Sequence, residues 1–218
     1  MTEAPPLPRL GPWVRWPLVL SLVVLAVRIA GELSDWDPRW FPREGGPTLS
    51  PVGIWPLIPI VGFLQGFAVA GRGHAPDRPG LALVLHLLGG ALLAAAVAIG
   101  MQSLRWPMQP IAAAAGALLA FGFAWRAWPE LLRYTLAYGF CLRAGVVAVT
   151  ALALALDWGT HLEYLPAESG ATSPLERFAL LAATQLLVWV PATVALGGAA
   201  GSFAALIRGR RADDALDE

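Results

Sequence analysis

The sequence predicts an all-α protein, a bundle of six transmembrane helices with both termini in the cytoplasm. Of its 218 residues, 57% are hydrophobic and only 14% are charged. The mean hydropathy is +0.61, which is too apolar for a water-soluble domain. About six apolar runs are long enough for a membrane span of ~20 residues. Arginine and tryptophan also concentrate at the ends of these runs, as they do in multi-pass membrane proteins.

The apolar runs divide the chain into three parts. These are a cytoplasmic tail over residues 1–16, a six-helix transmembrane domain over 17–207 and a charged cytoplasmic tail over 208–218. Strand-like alternation is absent, so helices are the expected way to satisfy the backbone in lipid. The six runs cover residues 17–33, 52–70, 81–101, 108–124, 134–156 and 178–207.

Individual runs carry further signals. The first follows two arginines, like a signal peptide, but Arg28 stands where a cleavage site needs a small residue, so we expect a retained helix. Pro129 and Glu130 precede the fifth run as first-turn residues. The sixth run is longer than a bilayer needs, and it should tilt, kink at Pro191 or emerge from the membrane.

Small residues recur at four-residue spacing within the runs. Such residues let helix backbones approach closely, and we expect them to pack the bundle, with a dedicated dimer face as the alternative. They are Ala112, Gly116 and Ala120 in the fourth run, Gly89 and Gly90 in the third, and Gly197 and Gly201 in the sixth.

Arginine counts predict the orientation. With two intramembrane arginines set aside, nine lie on the side of the termini and four on the other side, which favours cytoplasmic termini. Nine of the ten tryptophans fall at span ends, and only Trp189 sits deep. We expect an integral protein of a bacterial cytoplasmic (inner) membrane.

The two longest connections, residues 34–51 and 157–176, should therefore lie on one extracytoplasmic face. Both are rich in acidic and aromatic residues. They are either ordinary solvated loops or a surface that meets a partner, since functional residues concentrate on loops above rigid scaffolds.

Charged residues inside the apolar runs are the strongest pointers to a site. Arg28 and Glu32 are one turn apart in the first helix. Arg143 lies close to mid-bilayer, where an unpaired arginine costs about 2.5–3.5 kcal/mol. We therefore expect it to face the bundle and to pair with an acid or with helix-end carbonyls. Thr150 and Asp157 follow Arg143 at seven-residue steps on one helix face.

These residues predict a polar cluster near the outer ends of the first, fifth and sixth helices. Such a cluster is either a ligand pocket, proton path or polar cavity, or else an interhelical strut. The candidates are Arg28, Glu32, Arg143, Asp157, His161 and Gln185.

Several other functions are disfavoured. Fifteen basic residues balance fifteen acidic ones, so nucleic-acid binding is not expected. The single cysteine and the three dispersed histidines predict no metal site. Ser202 lacks the context of a catalytic serine, and no phosphate or dinucleotide fingerprint occurs. We assign no catalytic residue and no cofactor.

The leading interpretation is a small structural, accessory or binding protein that presents acidic-aromatic outer loops. Its expected partners are the lipid bilayer and either another membrane protein or a lipid-like ligand. A transporter with an outward-facing polar cavity is the first alternative. A membrane enzyme acting on a lipid or isoprenoid, with His161 and an outer acid as acid–base groups, is the second.

Overall fold

The computed structural model describes residues 6–43, 50, 52–103, 108–165, 169, 171 and 173–214, and over these residues its regular structure is entirely helical. The helices are α1 (Leu10–Leu33), α2 (Leu57–Ala70), α3 (Pro79–Ser103), α4 (Met108–Ala127), α5 (Pro129–Leu156), α6 (Pro174–Ala183) and α7 (Val190–Asp214). A π-helical segment, Thr184–Trp189, joins α6 to α7 without a break, and a 3₁₀ turn occupies His161–Glu163. The all-α expectation is confirmed.

Five helices of the described chain are long and apolar enough to cross a membrane, which supports a multi-pass membrane protein. The second predicted span is different. Its helix begins only at Leu57, after Trp55 and Pro56, and has 14 residues. At 1.5 Å per residue it is about 21 Å long, shorter than the ~30 Å hydrocarbon core. The second predicted span is therefore a shorter apolar helix, preceded by non-helical backbone over residues 52–56, and its crossing of the membrane stays a prediction.

The first and last helices are longer than the apolar runs indicated. α1 begins at Leu10 and includes Pro17, so residues 10–16 are helical. The continuous helix from Pro174 to Gly209 has 36 residues, about 54 Å, and exceeds the membrane. The π segment lies just before Pro191. A kink at Pro191, one of the three outcomes that the sequence offered, stays a prediction.

Small residues pack the bundle, as expected. α2 lies directly against α7, where Gly62 meets Gly197 and Gly66 meets Gly201. A Cβ on Gly62 or Gly66 would overlap the backbone of α7. Gly116 of α4 similarly lies against Leu93 of α3. Lipid tails are as apolar as leucine side chains, so burying apolar surface does not by itself drive helices together in a membrane. Glycine instead lets the two backbones approach and make van der Waals contact.

The two ends of the bundle differ. At one end the Tyr134 hydroxyl donates to the carbonyl of Pro8, and Gln65 Nε2 donates to the carbonyl of Trp13 at 2.9 Å. Ala205 of α7 packs in one hydrophobic cluster with Tyr134. The start of α1 and the later part of α7 therefore share this end. At the other end, which we call the loop end, α1 finishes at Leu33 and α5 at Leu156, and the described residues that follow each helix begin there.

Candidate functional site

The candidate site is built around Glu32, in the last turn of α1 at the loop end. Its side chain is fully buried although it carries a carboxylate. Arg28, one helical turn earlier, places Nε 2.9 Å from Glu32 Oε1. This is the i,i+4 pair that the sequence predicts. Because both groups are withdrawn from water, the pair needs further hydrogen bonds to be stable.

His161 supplies these contacts from the connection after α5. Its backbone N–H donates to Glu32 Oε2 at 3.0 Å. Its ring Nδ1 lies 2.6 Å from Glu32 Oε1, an ion pair when the imidazole is protonated, although the N–H is not aligned for a hydrogen bond. Both carboxylate oxygens are thus engaged by groups from two distant parts of the chain.

The local backbone after α5 explains how His161 reaches Glu32. Asp157 ends the helix in the left-handed conformation, with φ of 50°, and Gly159 has φ of 62°. These two positions turn the chain back over the bundle. Thr160 then caps the 3₁₀ turn, since its backbone N–H donates to Glu163 Oε2 at 2.7 Å. Leu162 enters the core beside α1, which anchors the turn.

Asp157 does not join the cluster. Its side chain is exposed, because the left-handed residue that ends α5 has left the helical face that carries Arg143 and Thr150. Thr150 remains buried on that face. The seven-residue spacing therefore keeps residues on one face only where the backbone is helical, and Asp157 is no longer helical.

Arg143 faces the bundle, as expected, but its partner differs from the prediction. The side chain is only 6% exposed. Its Nη1 donates to Gln185 Oε1 at 3.3 Å, and the guanidinium lies 5.0 Å from the ring centroid of Trp189. Within the described residues no carboxylate pairs with it, and Nε has no hydrogen-bond partner. The expected acid is replaced by an amide and an indole from the π segment.

A cavity of about 270 Å³ brings most of the candidates together. Arg28, Arg143, His161 and Gln185 all line it, and Glu32 contacts two of these residues. The predicted convergence of α1, α5 and the last helix is therefore present in the fold. We call this space the loop-end cavity. Its apolar walls are Val24, Leu25, Ile54, Val146, Leu162 and Leu181.

Sequence reasoning missed one wall of the cavity. The non-helical stretch before α2 contributes Gly53, Ile54 and Trp55. The backbone at Gly53 runs beside Arg28, since a Cβ built there would lie 3.4 Å from Nη1, an ordinary contact distance. Non-helical backbone is tolerated at membrane depth where it lines a cavity. Trp55 and Pro56 marked this break in the sequence.

The electrostatics of the loop-end cavity favour an anion. Arg28 and Arg143 carry two positive charges against the single carboxylate of Glu32. The balance is +1 when His161 is neutral and +2 when it is protonated. A guanidinium has five N–H donors and binds carboxylates or phosphates through two at once. The described residues hold no group of three metal-ligating side chains.

A second buried polar pair lies elsewhere in the bundle and was not predicted. Ser202 Oγ is 3.2 Å from Nδ1 of His86, which also contacts the carbonyl of Ala82 at 2.8 Å. Both side chains are buried, and the imidazole fills space beside Gly198. Neither lines the loop-end cavity. Their contacts join α3 to α7 through the interior.

Comparisons of the chain with known protein families, with curated proteins and with solved structures give no match.

Proposed function

We propose that this is a binding protein of the membrane whose loop-end cavity takes an anionic ligand. The observation that carries the proposal is the state of Arg143. Its side chain is more than nine-tenths buried, it lines the cavity, and its Nε has no hydrogen-bond partner. A buried guanidinium in membrane is expensive, and a bound anion would compensate it.

The existing contacts of Arg143 leave capacity for a ligand. Gln185 offers one long hydrogen bond of 3.3 Å, and Trp189 offers a cation–π contact. Neither carries a negative charge. Arg28, by contrast, is already neutralised by Glu32. An anion between the two arginines would therefore gain most of its stabilisation from Arg143 and be oriented by Arg28.

We also propose the side on which the cavity opens. The nine-to-four arginine distribution favours the loop end on the extracytoplasmic side of a bacterial cytoplasmic membrane. The cavity would then open away from the cytoplasm, beneath the connections that carry the exposed Trp36 and Trp40. Indoles at that level suit the membrane interface.

Thermal unfolding of the protein in a neutral detergent tests anion binding. Inorganic phosphate, compared with chloride at equal ionic strength, should raise the unfolding midpoint of the wild type. A ligand at a hundred times its Kd stabilises by about 2.7 kcal/mol. Arg143→Met should abolish the shift. Arg133→Met is the matched control, since Arg133 is an exposed arginine of the same helix.

Two outcomes would overturn the proposal. One is a wild-type midpoint that phosphate does not raise more than chloride does. The other is a shift of equal size in Arg143→Met and the wild type. A structural or accessory role, which needs no ligand, would then be the better account of the buried charges.

A membrane enzyme is the second candidate, favoured by the contact between Glu32 and His161. A carboxylate beside Nδ1 leaves the opposite ring nitrogen, Nε2, as the one free for proton transfer, an arrangement used in general acid–base catalysis. Incubation with phosphorylated lipid analogues and detection of released phosphate would test it. Turnover by the wild type that His161→Gln abolishes would favour the enzyme over the binding protein.

A further inference from the structure

A second cavity continues from the loop-end cavity. It has a volume of about 400 Å³ and shares Tyr164, Leu181 and Thr184 with its neighbour. Apart from a few polar groups its walls are apolar. They come from α3, α4 and the last helix, and include Val97, Ala113, Leu180 and Leu187. The loop-end cavity thus shares three lining residues with a largely apolar cavity.

A third cavity, of about 560 Å³, extends the same series. It shares Val97 and Val188 with the second and runs between α3 and α7 as far as His86. Its walls are almost wholly alanine, leucine, valine and glycine. Each of the three spaces thus shares lining residues with the next, and we call the series the track. Its lining becomes more apolar with distance from the two arginines.

The π segment lies where the lining of the track changes from polar to apolar. Gln185 and Trp189 line the loop-end cavity, Leu187 lines the second, and Val188 lines the second and third. None of its six residues is fully buried. π-helical turns occur often at functional sites, because the extra residue per turn re-aims side chains. Here the wider turn places the polar Gln185 at the loop-end cavity and the apolar Leu187 at the second cavity.

The length of the track suits one lipid chain. From Gln185 to Leu196 the helix advances 11 residues, about 16 Å at ~1.5 Å per residue. The hydrocarbon core is ~30 Å thick, so a lipid chain that fills one leaflet is about half of that in length. The track is therefore long enough for one such chain.

We propose that the anionic ligand is a lipid, and this rests on the proposed function. Its anionic head occupies the loop-end cavity between Arg28 and Arg143, and one of its apolar chains lies along the second and third cavities beside the π segment. The loop-end cavity is too small for a whole lipid, and the second cavity, which shares lining residues with it, is largely apolar. Charge at one end and apolar walls at the other select an amphiphile.

A pair of alkyl phosphates separates the head from the chain. Butyl phosphate and dodecyl phosphate carry the same head group, and affinity for each is measured from the unfolding midpoint in dodecyl maltoside. Burial of each added methylene favours binding by up to about fourfold. The micelle competes for the same chain and removes much of this gain, so dodecyl phosphate should bind the wild type roughly a hundredfold more tightly. Arg143→Met should lose most of the affinity for both.

Variants that fill the track test where the chain lies. Ala183 lines the second cavity, and Ala182 beside it lines none of the three. Ala183→Phe should remove most of the chain-length gain while butyl phosphate binds as before. Ala182→Phe should keep the gain. Because Ala183→Phe could impair folding, Ala94→Phe is a second blocking variant, with Ala95→Phe as its control. Both alanines are exposed, and only Ala94 lines the third cavity.

The outcomes distinguish the two proposals. Equal wild-type affinity for the two phosphates would overturn the lipid inference while leaving anion binding intact. An equal chain-length gain in the blocking variants and their controls would also overturn it. Failure of both phosphates to stabilise the wild type would remove the proposed function itself.

Discussion

Glu32 and His161 are 129 residues apart in the chain, yet the backbone N–H of His161 donates to Glu32 Oε2 and its ring nitrogen lies 2.6 Å from Oε1. The carboxylate therefore ties the last turn of α1 to the connection that follows α5. Since Arg28 binds the same carboxylate, the buried charge of Glu32 positions two residues that line the loop-end cavity, Arg28 and His161.

Replacing Glu32 tests this role. Glu32→Gln leaves Arg28, whose side chain is 13% exposed, without its counter-charge. Breaking a buried pair in this way typically costs about 3–5 kcal/mol. We expect a loss of that order in the free energy of unfolding, measured by denaturant titration in detergent. Asp35→Asn is the control, because its ion pair with Arg43 is largely exposed, and such pairs contribute at most about 1 kcal/mol. Equal losses in both variants would contradict the central role of Glu32.

The helical bundle could be predicted because the membrane dictates it. Long apolar runs leave helices as the way to satisfy the backbone, and the runs matched helices at α3, α4 and α5 to within a few residues. The misses have local causes. α1 begins earlier because interfacial residues such as Trp13 continue the helix without raising its hydropathy. α2 begins later because Pro56 and Gly53 favour irregular backbone, although the stretch is apolar.

The candidate site could be predicted in part. Arg28 and Glu32 followed from helical spacing, and four of the six candidates, Arg28, Arg143, His161 and Gln185, line the cavity. Spacing within one helix cannot show which helix is its neighbour, so the acid expected beside Arg143 was wrong, whereas Gln185, a candidate from another helix, does contact it. Trp189 offered a signal, since it was the only tryptophan placed at depth, and an indole there suits a cation.

Helix packing at glycine gives a second prediction. Gly62→Ala should destabilise the bundle, because the new Cβ would overlap the backbone of Gly197, which cannot move as a flexible side chain could. Overpacking of this kind typically costs about 1–3 kcal/mol in a well-packed core, and denaturant unfolding in detergent measures the loss. Gly122→Ala on α4 is the control, since nothing lies within 4 Å of its would-be Cβ. It should be neutral or slightly stabilising because alanine favours helix. A neutral Gly62→Ala would argue against close α2–α7 contact.

The orientation of the bundle is a third prediction, carried by the arginine distribution. A reporter active only in the cytoplasm, fused after Glu218, should be active. The same reporter inserted in the connection between α5 and α6 should be silent, and a reporter active only outside the cytoplasm should give the reverse pattern. Extracytoplasmic activity at Glu218 would place the loop-end cavity on the opposite side.

Arg143 and Gln185 give the last prediction, because one residue of this contact is charged and the other is neutral. Arg143→Met removes a buried charge and leaves behind only a neutral amide, whereas Gln185→Leu removes the amide and leaves the charge with the indole of Trp189 alone. A buried charge deprived of a partner is far more costly than a buried amide deprived of one. We therefore expect Gln185→Leu to lower the free energy of unfolding by more than Arg143→Met does, in the absence of ligand. Had the partner been a carboxylate, Arg143→Met would be the strongly destabilising variant.

Denaturant unfolding of both variants in phosphate-free detergent measures the difference, and Gln185→Glu provides a third point. That substitution supplies the missing negative charge, so it should stabilise the unliganded protein and abolish the rise in midpoint produced by phosphate. A Gln185→Glu protein that phosphate still stabilises as it does the wild type would show that the anion does not depend on the free charge of Arg143.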